Sequence, residues 1–152
     1  MRGLKIRPAE LSDIDVVFSV EQASFGKDAY PKSLLLALLI LHPQSFFVAE
    51  VEGRVVGYAV GALIHGKGHV MSLAVHPHYR RRGIATALMK ALEGALMAEG
   101  AAELRLEVRE DNVEAAAFYE KLGYRAIGKQ SRYYSDGSSA IIYSKPASQA
   151  QC

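Results

Sequence analysis

The sequence predicts an α/β domain of the α+β kind, with a central mixed, mostly antiparallel sheet of about six to seven strands flanked by about four helices. Two observations carry that expectation. Short runs rich in β-branched and aromatic residues alternate with runs of helical period, and no segment repeats. The chain's 152 residues suit one domain, large enough to bury roughly 68–70% of its unfolded surface.

Taken in order, Leu4 to Arg7 form a strand. RPAELSD punctuates it before a helix whose Ile14, Val17, Phe18 and Glu21 recur at spacings of three and four. Pro31 suits the first turn of a second helix, KSLLLALLIL, which His42-Pro43 stops. SFFVAEV, a Glu52-Gly53 turn and RVVGYAVGAL read as an antiparallel hairpin. A third strand, HVMSLAV, follows a Gly-containing loop. Gly83 to Glu99 is helical, with Ile84, Leu88, Leu92, Ala95 and Leu96 on the buried side and Gly100 as the stop. Strand ELRLEV follows, then a short helix in DNVEAAAFYEKLGY that ends at Gly123, then two strands near Tyr124–Lys129 and Ala140–Ser144. The domain is placed at residues 1–145, and the polar residues 146–152 are read as a frayed tail.

Charge and cysteine content exclude several classes. Lys and Arg number 18 against 16 acidic residues, so the net charge of +2 gives no general attraction to nucleic acid or to an anionic membrane. Any basic site must therefore be local. The apolar run Leu34 to Leu41 is too short to span a bilayer, and the N-terminal residues lack a signal pattern, which together predict a cytoplasmic protein. Cys152 is the one cysteine, so no intrachain disulfide forms. His65, His69, His76 and His78 read as surface-loop residues that form no metal motif.

The local basic site is HPHYRRRGIAT. LAV ends a strand, HPHY makes a turn and RRRGIAT begins the long helix, so three arginines stand at a helix N-terminus. Cations there oppose the helix dipole, at about 0.3–1 kcal/mol each. A bound anion reverses the sign. The N–H groups of residues 81–86 can converge on phosphate oxygens while Gly83 and Ala85 keep side chains clear. Neither GxxxxGK[ST] nor a GxGxxG with its downstream acidic residue occurs, so nucleotide hydrolysis and dinucleotide binding have no support.

Arg80-x-x-Gly83-x-Ala85 after LAV resembles the Q/R-x-x-G-x-G/A motif of the GNAT acyltransferases, with Ala85 in place of the commoner glycine. LEVREDNVEAAAFYEKLGY is similar to the LEVR…N…A…YE.LG[FY] pattern of RimI-like ribosomal-protein N-terminal acetyltransferases. EQASF, FFVAE..GRVVGY and RYY…DG…AIIY extend the resemblance over nearly the whole chain. It implies the GNAT fold, acetyl-CoA as co-substrate, and direct transfer in a ternary complex to the N-terminal α-amine of a protein or peptide, ribosomal proteins included. It also implies site residues. Leu73, Ala74 and Val75 present backbone groups to the pantetheine arm and acetyl carbonyl. Arg81, Arg82, Gly83, Ile84, Ala85 and Thr86 hold the pyrophosphate, with Arg80 as a flanking charge. Asn112 bonds the pantetheine, Glu107 accepts the amine's proton, and Tyr119 lies beside the cofactor as proton donor.

The residues are chemically suited to those roles. Unperturbed α-amines have pKa values of about 7.7–8.0 and are largely protonated at pH 7, so a carboxylate acting directly or through one water is useful. Alternation puts Glu107 on the face opposite Leu106 and Val108, where a solvent-facing glutamate is the other reading. Tyr119 beside Phe118 can aim its hydroxyl at a cleft or sit in the core, and Asn112 can equally cap a helix. If HVMSLAV and ELRLEV diverge, backbone groups near residues 73–76 become free to stabilise the thioester oxygen. Tyr30, Tyr133 and Tyr134 can wall an acceptor peptide or serve as scaffold. A small-molecule amine or antibiotic acetyltransferase and a non-catalytic acyl-CoA sensor are the alternatives.

Overall fold

In the computed structural model, which describes residues 3–149, seven strands and four α-helices follow one another along the chain. The order is β1 (Leu4–Pro8), α1 (Ile14–Phe25), α2 (Lys32–Leu41), β2 (Phe46–Val51), β3 (Arg54–Ile64), β4 (Lys67–Val75), α3 (Ile84–Ala98), β5 (Glu103–Arg109), α4 (Val113–Lys121), β6 (Arg125–Gln130) and β7 (Ala140–Pro146). One sheet takes the order β1-β2-β3-β4-β5-β7-β6. Every neighbouring pair is antiparallel except β4 with β5. The expected mixed, mostly antiparallel sheet with four helices is therefore what forms.

Helices cover both faces. Ile84, Leu88, Met89, Leu92 and Leu96 of α3 pack on Leu104, Leu106 and Val108, with α4 against the same cluster. Val17 and Val20 of α1 and Leu35, Leu38 and Leu39 of α2 pack on Phe46, Val48 and Tyr58 of the other face. Glycines close α3 and α4 as the sequence predicts. At Gly100 the N–H donates to Met97 O (2.9 Å) and that of Ala101 to Leu96 O (3.1 Å). At Gly123 the N–H donates to Glu120 O (3.0 Å) and that of Tyr124 to Tyr119 O (3.1 Å). Both are Schellman endings, and the second folds Tyr124 back against Tyr119 with ring centroids 5.8 Å apart. Among the described residues no helix is long and apolar enough to cross a membrane.

Several boundaries differ from the sequence reading. Pro31 sits one residue before α2, where its carbonyl accepts from Leu34 N–H (3.0 Å) and Leu35 N–H (3.2 Å). The Gly-containing loop expected before HVMSLAV is a two-residue turn, because His65 and Gly66 take φ of 51° and 78° and let β3 and β4 pair up to Ile64↔Lys67. Two positive φ values make a hairpin turn whose twist matches its strands, and Glu52-Gly53 (51° and 81°) does the same between β2 and β3. The tail expected from residue 146 starts in ordered chain. Pro146 ends β7, and Ala147–Gln149 make a 3-10 turn in which Ala147 N–H donates to Ala102 O (3.1 Å). The remainder of that tail, with Cys152, lies outside the described residues.

The feature that positions a site is a split at the centre of the sheet. β4 and β5 pair only over Lys67↔Glu103, Gly68↔Leu104 and His69↔Arg105. Beyond that point β4 continues along β3 to Val75 while β5 stays with β7. The β3–β4 register passes from Gly61↔Val70 to Val60↔Ser72, which leaves Met71 as a bulge beside the point of divergence. Gly61 permits it, since a Cβ there would stand 2.7 Å from His69 O. Ser45 Oγ donates to Gly61 O (2.6 Å) and Tyr30 OH to Met71 O (3.0 Å), pinning the bulge from both strands.

Candidate active site

Backbone groups form the first part of the site. His76 N–H donates to Val56 O at 2.7 Å. That bond fixes the ladder parity: Ser72 and Ala74 direct their backbone groups at β3, while Leu73 and Val75 direct theirs at the split. Val75 O accepts from Arg80 Nε (3.1 Å), so the N–H of Val75 and both groups of Leu73 face the gap. His76, included in the expected span of free backbone, is paired.

The loop into α3 forms the second part. After a 3-10 turn at Pro77–Tyr79, Arg81 (φ 63°) and Gly83 (φ 81°) adopt left-handed conformations and turn the chain sharply into Ile84. No side chain caps α3, and Gly83 O is engaged by Ala87 N–H (3.1 Å). The first-turn N–H groups of Ile84, Ala85 and Thr86 thus lack intrahelical partners, which suits an anion. Of the arginine side chains, Arg80 turns back to Val75 O and Ser24 Oγ (3.3 Å), and Arg82 lies over the Tyr79 ring, 5.1 Å from its centroid. The backbone, more than the guanidiniums, offers the cradle.

Side chains form the third part. Leu104, Leu106 and Val108 are buried towards α3, so Glu107 projects from the opposite face of β5. Glu107 Oε1 lies 2.7 Å from His69 Nε2 and accepts from Tyr133 OH at 3.4 Å. Tyr133 and Tyr134 meet edge to face with centroids 4.9 Å apart. Burial pushes the Tyr134 hydroxyl up to about 12, with Glu107 adding to the shift, and pushes those of Tyr30 and Tyr133 up as well. All three phenols stay neutral donors at physiological pH.

Tyr119 is half-buried between Phe118 (centroids 5.1 Å) and Tyr124 (5.8 Å). Burial first, and then the nearby Tyr134, raise its pKa, so it too holds its proton. No contact joins Tyr119 to Glu107: the two lie on opposite faces of the sheet, and Tyr134 is within electrostatic reach of both. Asn112 caps α4, its Oδ1 accepting from Ala115 N–H at 3.0 Å, which leaves the amide NH2 free of that role.

An open strand pair, an uncapped helix N-terminus after R-x-x-G-x-A and a carboxyl group just beyond the parallel seam, where β4 and β5 part, now stand together. Residues 14–124 match the acetyltransferase (GNAT) family. The chain belongs to the GNAT acetyltransferase family. As a GNAT N-acetyltransferase it uses acetyl-CoA, and the uncapped N–H groups of residues 84–86 beside the open edge of β4 fit its pyrophosphate and pantetheine arm. It is 43% identical over 141 residues to an N-acetyltransferase of Methanocaldococcus jannaschii, covering 92% of this chain and 90% of that one. It is 36% identical to an N-alpha-acetyltransferase of Sulfurisphaera tokodaii, covering 93% and 92% of the two chains. Among solved structures, Ard1 from Thermoplasma volcanium superposes with a TM-score of 0.90 at 34% identity over 95% of this chain and 97% of that one. The ribosomal-protein-S18-alanine N-acetyltransferase of Escherichia coli gives 0.83 at 27% identity over 95% and 94%.

Three residues of this GNAT domain escaped the sequence reading. His69, read as a loop-border histidine at the start of HVMSLAV, stands inside β4 against Glu107, because the loop expected over residues 64–68 is only the two-residue turn His65-Gly66. Glu21 is 2% exposed and accepts from Tyr58 OH, Ser72 Oγ (2.9 Å) and Tyr30 N–H (2.9 Å). Arg109 follows Glu107 by two positions and so shares its face. The last two stand inside the family blocks EQASF and LEVR, which was the available signal; His69 had none.

Proposed function

We propose that this GNAT acetyltransferase transfers the acetyl group of acetyl-CoA to the N-terminal α-amine of a protein or peptide, directly and within a ternary complex. The observation that carries the reading is the Glu107–His69 pair ringed by Tyr30, Tyr133 and Tyr134 at the mouth of the split. The names of the archaeal relative and of the Escherichia coli neighbour support an N-terminal acceptor.

Each residue then has a task. Leu73 and Val75 offer the open backbone edge along which the pantetheine arm would lie, Asn112 offers its amide, and Arg81 to Thr86 hold the pyrophosphate with Arg80 flanking it. When bound, acetyl-CoA supplies the activated acyl carbon. Glu107, paired with His69, takes the proton that the amine must shed before its nitrogen can attack. Val75 N–H polarises the thioester carbonyl, and preorganised donors of that kind act without reorganising during the reaction. Tyr119 gives its proton to the departing sulfur. Tyr30, Tyr133 and Tyr134 line the approach and donate hydrogen bonds to the acceptor backbone. The RimI-like pattern of Leu106–Tyr124 narrows the acceptor further, to ribosomal proteins that begin with alanine. A cytoplasmic setting goes with this reading, since one cysteine in 152 residues calls for no oxidising compartment.

The test is a set of peptides that differ only in their first two residues, with N-terminally blocked peptides bearing an internal lysine as controls, read by thiol release and mass. Acetylation confined to free N-termini, fastest on alanine, is the expected result. Turnover on blocked peptides, or on small amines but no peptide, overturns the acceptor assignment.

A further inference from the structure

Arg109 ends β5 on the face that Glu107 shares, and its guanidinium faces two loops at once. Nη1 donates to Asp28 Oδ2 at 2.8 Å, Nη2 donates to Asp136 and to Ser138 Oγ (2.9 Å), and Nε lies 3.2 Å from Asp111 Oδ1. The same group stacks over Tyr134, 5.1 Å from the ring centroid. Asp28 belongs to the α1–α2 connection that carries Tyr30. Asp136 and Ser138 belong to the β6–β7 loop that carries Tyr133 and Tyr134.

Lesser links join the same two loops: Lys27 Nζ to Asp136 Oδ2 (3.3 Å) and Ser135 Oγ to Asp28 Oδ1 (3.4 Å). Within the β6–β7 loop, the N–H groups of Tyr133 and Tyr134 both donate to Ser138 O (3.0 and 3.1 Å), so the position of Ser138 sets that of both rings. Ser138, through its N–H and hydroxyl, and then Arg109 hold the Asp136 carboxyl well below the usual carboxylate range, which keeps the junction charged at neutral pH. The side chains of Arg109, Asp28 and Asp136 are 22%, 18% and 27% exposed, so the pairs are partly shielded from solvent. A planar guanidinium can address two carboxylates along separate edges and stack on a ring, which an ammonium cannot do.

We propose that Arg109 is a positioning residue that clasps the α1–α2 and β6–β7 loops into one acceptor channel and thereby sets affinity for the peptide rather than the rate of acyl transfer. The proposal rests on the N-terminal acetyltransferase reading for its kinetic part only. Its test uses Arg109→Gln and Arg109→Lys in the full chain, with Asp28→Asn and Asp136→Asn singly and combined with Arg109→Gln.

Arg109→Gln is expected to raise KM for the peptide about tenfold while kcat and KM for acetyl-CoA stay within about twofold, with Arg109→Lys restoring only part. The Asp variants raise peptide KM too and add little to Arg109→Gln, because all three break one junction. Hydrogen exchange supplies a readout that needs no turnover: amides of residues 26–31 and 131–139 exchange faster in Arg109→Gln while those of α3 do not change. Peptide KM within about twofold of the parent, or a fall in kcat at constant KM, overturns the proposal. Unchanged loop exchange overturns it as well. If the parent enzyme acetylates no peptide, the acceptor reading fails, and loop exchange alone then decides for or against the clasp.

Discussion

Replacing Glu21 by leucine should cost this enzyme much of its stability, and the structure sets the size. The Glu21 side chain is buried, forms no ion pair among the described residues and accepts from three donors: Tyr58 OH of β3, Ser72 Oγ of β4 and the N–H of Tyr30 in the α1–α2 connection. A buried donor left without a partner costs about 1–3 kcal/mol. Tyr58 is fully buried and loses towards the top of that range, whereas Ser72 (8% exposed) and half-buried Tyr30 can recover part of theirs from water. The expected loss for Glu21→Leu is therefore about 3–5 kcal/mol. Glu21→Gln should lose less, about 1–2 kcal/mol, because its carbonyl can face Tyr30 N–H while its NH2 donates to the two hydroxyls. Urea unfolding measures both through the midpoint at constant slope. Tyr58→Phe provides the internal check: it should destabilise the parent, yet stabilise the Glu21→Leu protein by removing an orphaned hydroxyl. A Glu21→Leu midpoint equivalent to less than about 0.5 kcal/mol, or the same Tyr58→Phe effect in both backgrounds, would refute this reasoning.

Further outcomes are expected at and around the site. Glu107→Gln and Tyr119→Phe should each lower turnover at least about tenfold, and His69→Gln less, with acetyl-CoA affinity nearly intact by calorimetry; unchanged turnover in the first two would remove the acid–base assignment. Gly61→Ala forces a Cβ to within 2.7 Å of His69 O, so it should cost about 1–3 kcal/mol and displace the bulge; a parent-like melting temperature together with a parent-like kcat would show that this close approach sets nothing. Burial first, with Glu21 and Glu93 respectively adding, raises the pKa of Tyr58 and Tyr124 above the ordinary value. A raised folded pKa means full stability below the unfolded value of about 10 and loss as pH rises beyond it, at up to about 1.4 kcal/mol per pH unit for each phenol. Unfolding free energies that stay flat from about pH 10 to 12 would contradict that assignment.

Local rules made most of the fold legible. β-branched alternation marks the strands, the period of Ile84, Leu88, Leu92 and Leu96 marks α3, and Gly100 and Gly123 mark the two Schellman endings. The site was legible where it follows from the chain itself, as with Gly83 at φ 81° before an uncapped helix. It was not legible where it depends on register between distant strands. His69 meets Glu107 across 38 residues, and Arg109 meets Asp28 across 81, through the single parallel seam and a bulge at Met71. Nor does RRR reveal that Arg80 folds back on Val75 while Arg82 covers Tyr79, since the left-handed turn at Arg81 decides where each side chain goes.

The sheet order has a consequence for biosynthesis. β7 stands between β5 and β6, so the edge strand β6 has no partner until residues 140–146 have been made. The helices α1 and α2 can collapse on the strands β1 to β4 as the chain emerges, because their core closes within residues 9–74, whereas α3 also waits for Tyr124 and Lys145, which hold its buried Glu93. The strand bearing Glu107, by contrast, gains its second neighbour last, and pairings of such long range form slowly. On the roles proposed for these residues, a chain still on the ribosome has the open edge of β4 in place before α3 and the strand of Glu107 settle, and competence to transfer arrives only with the final strand.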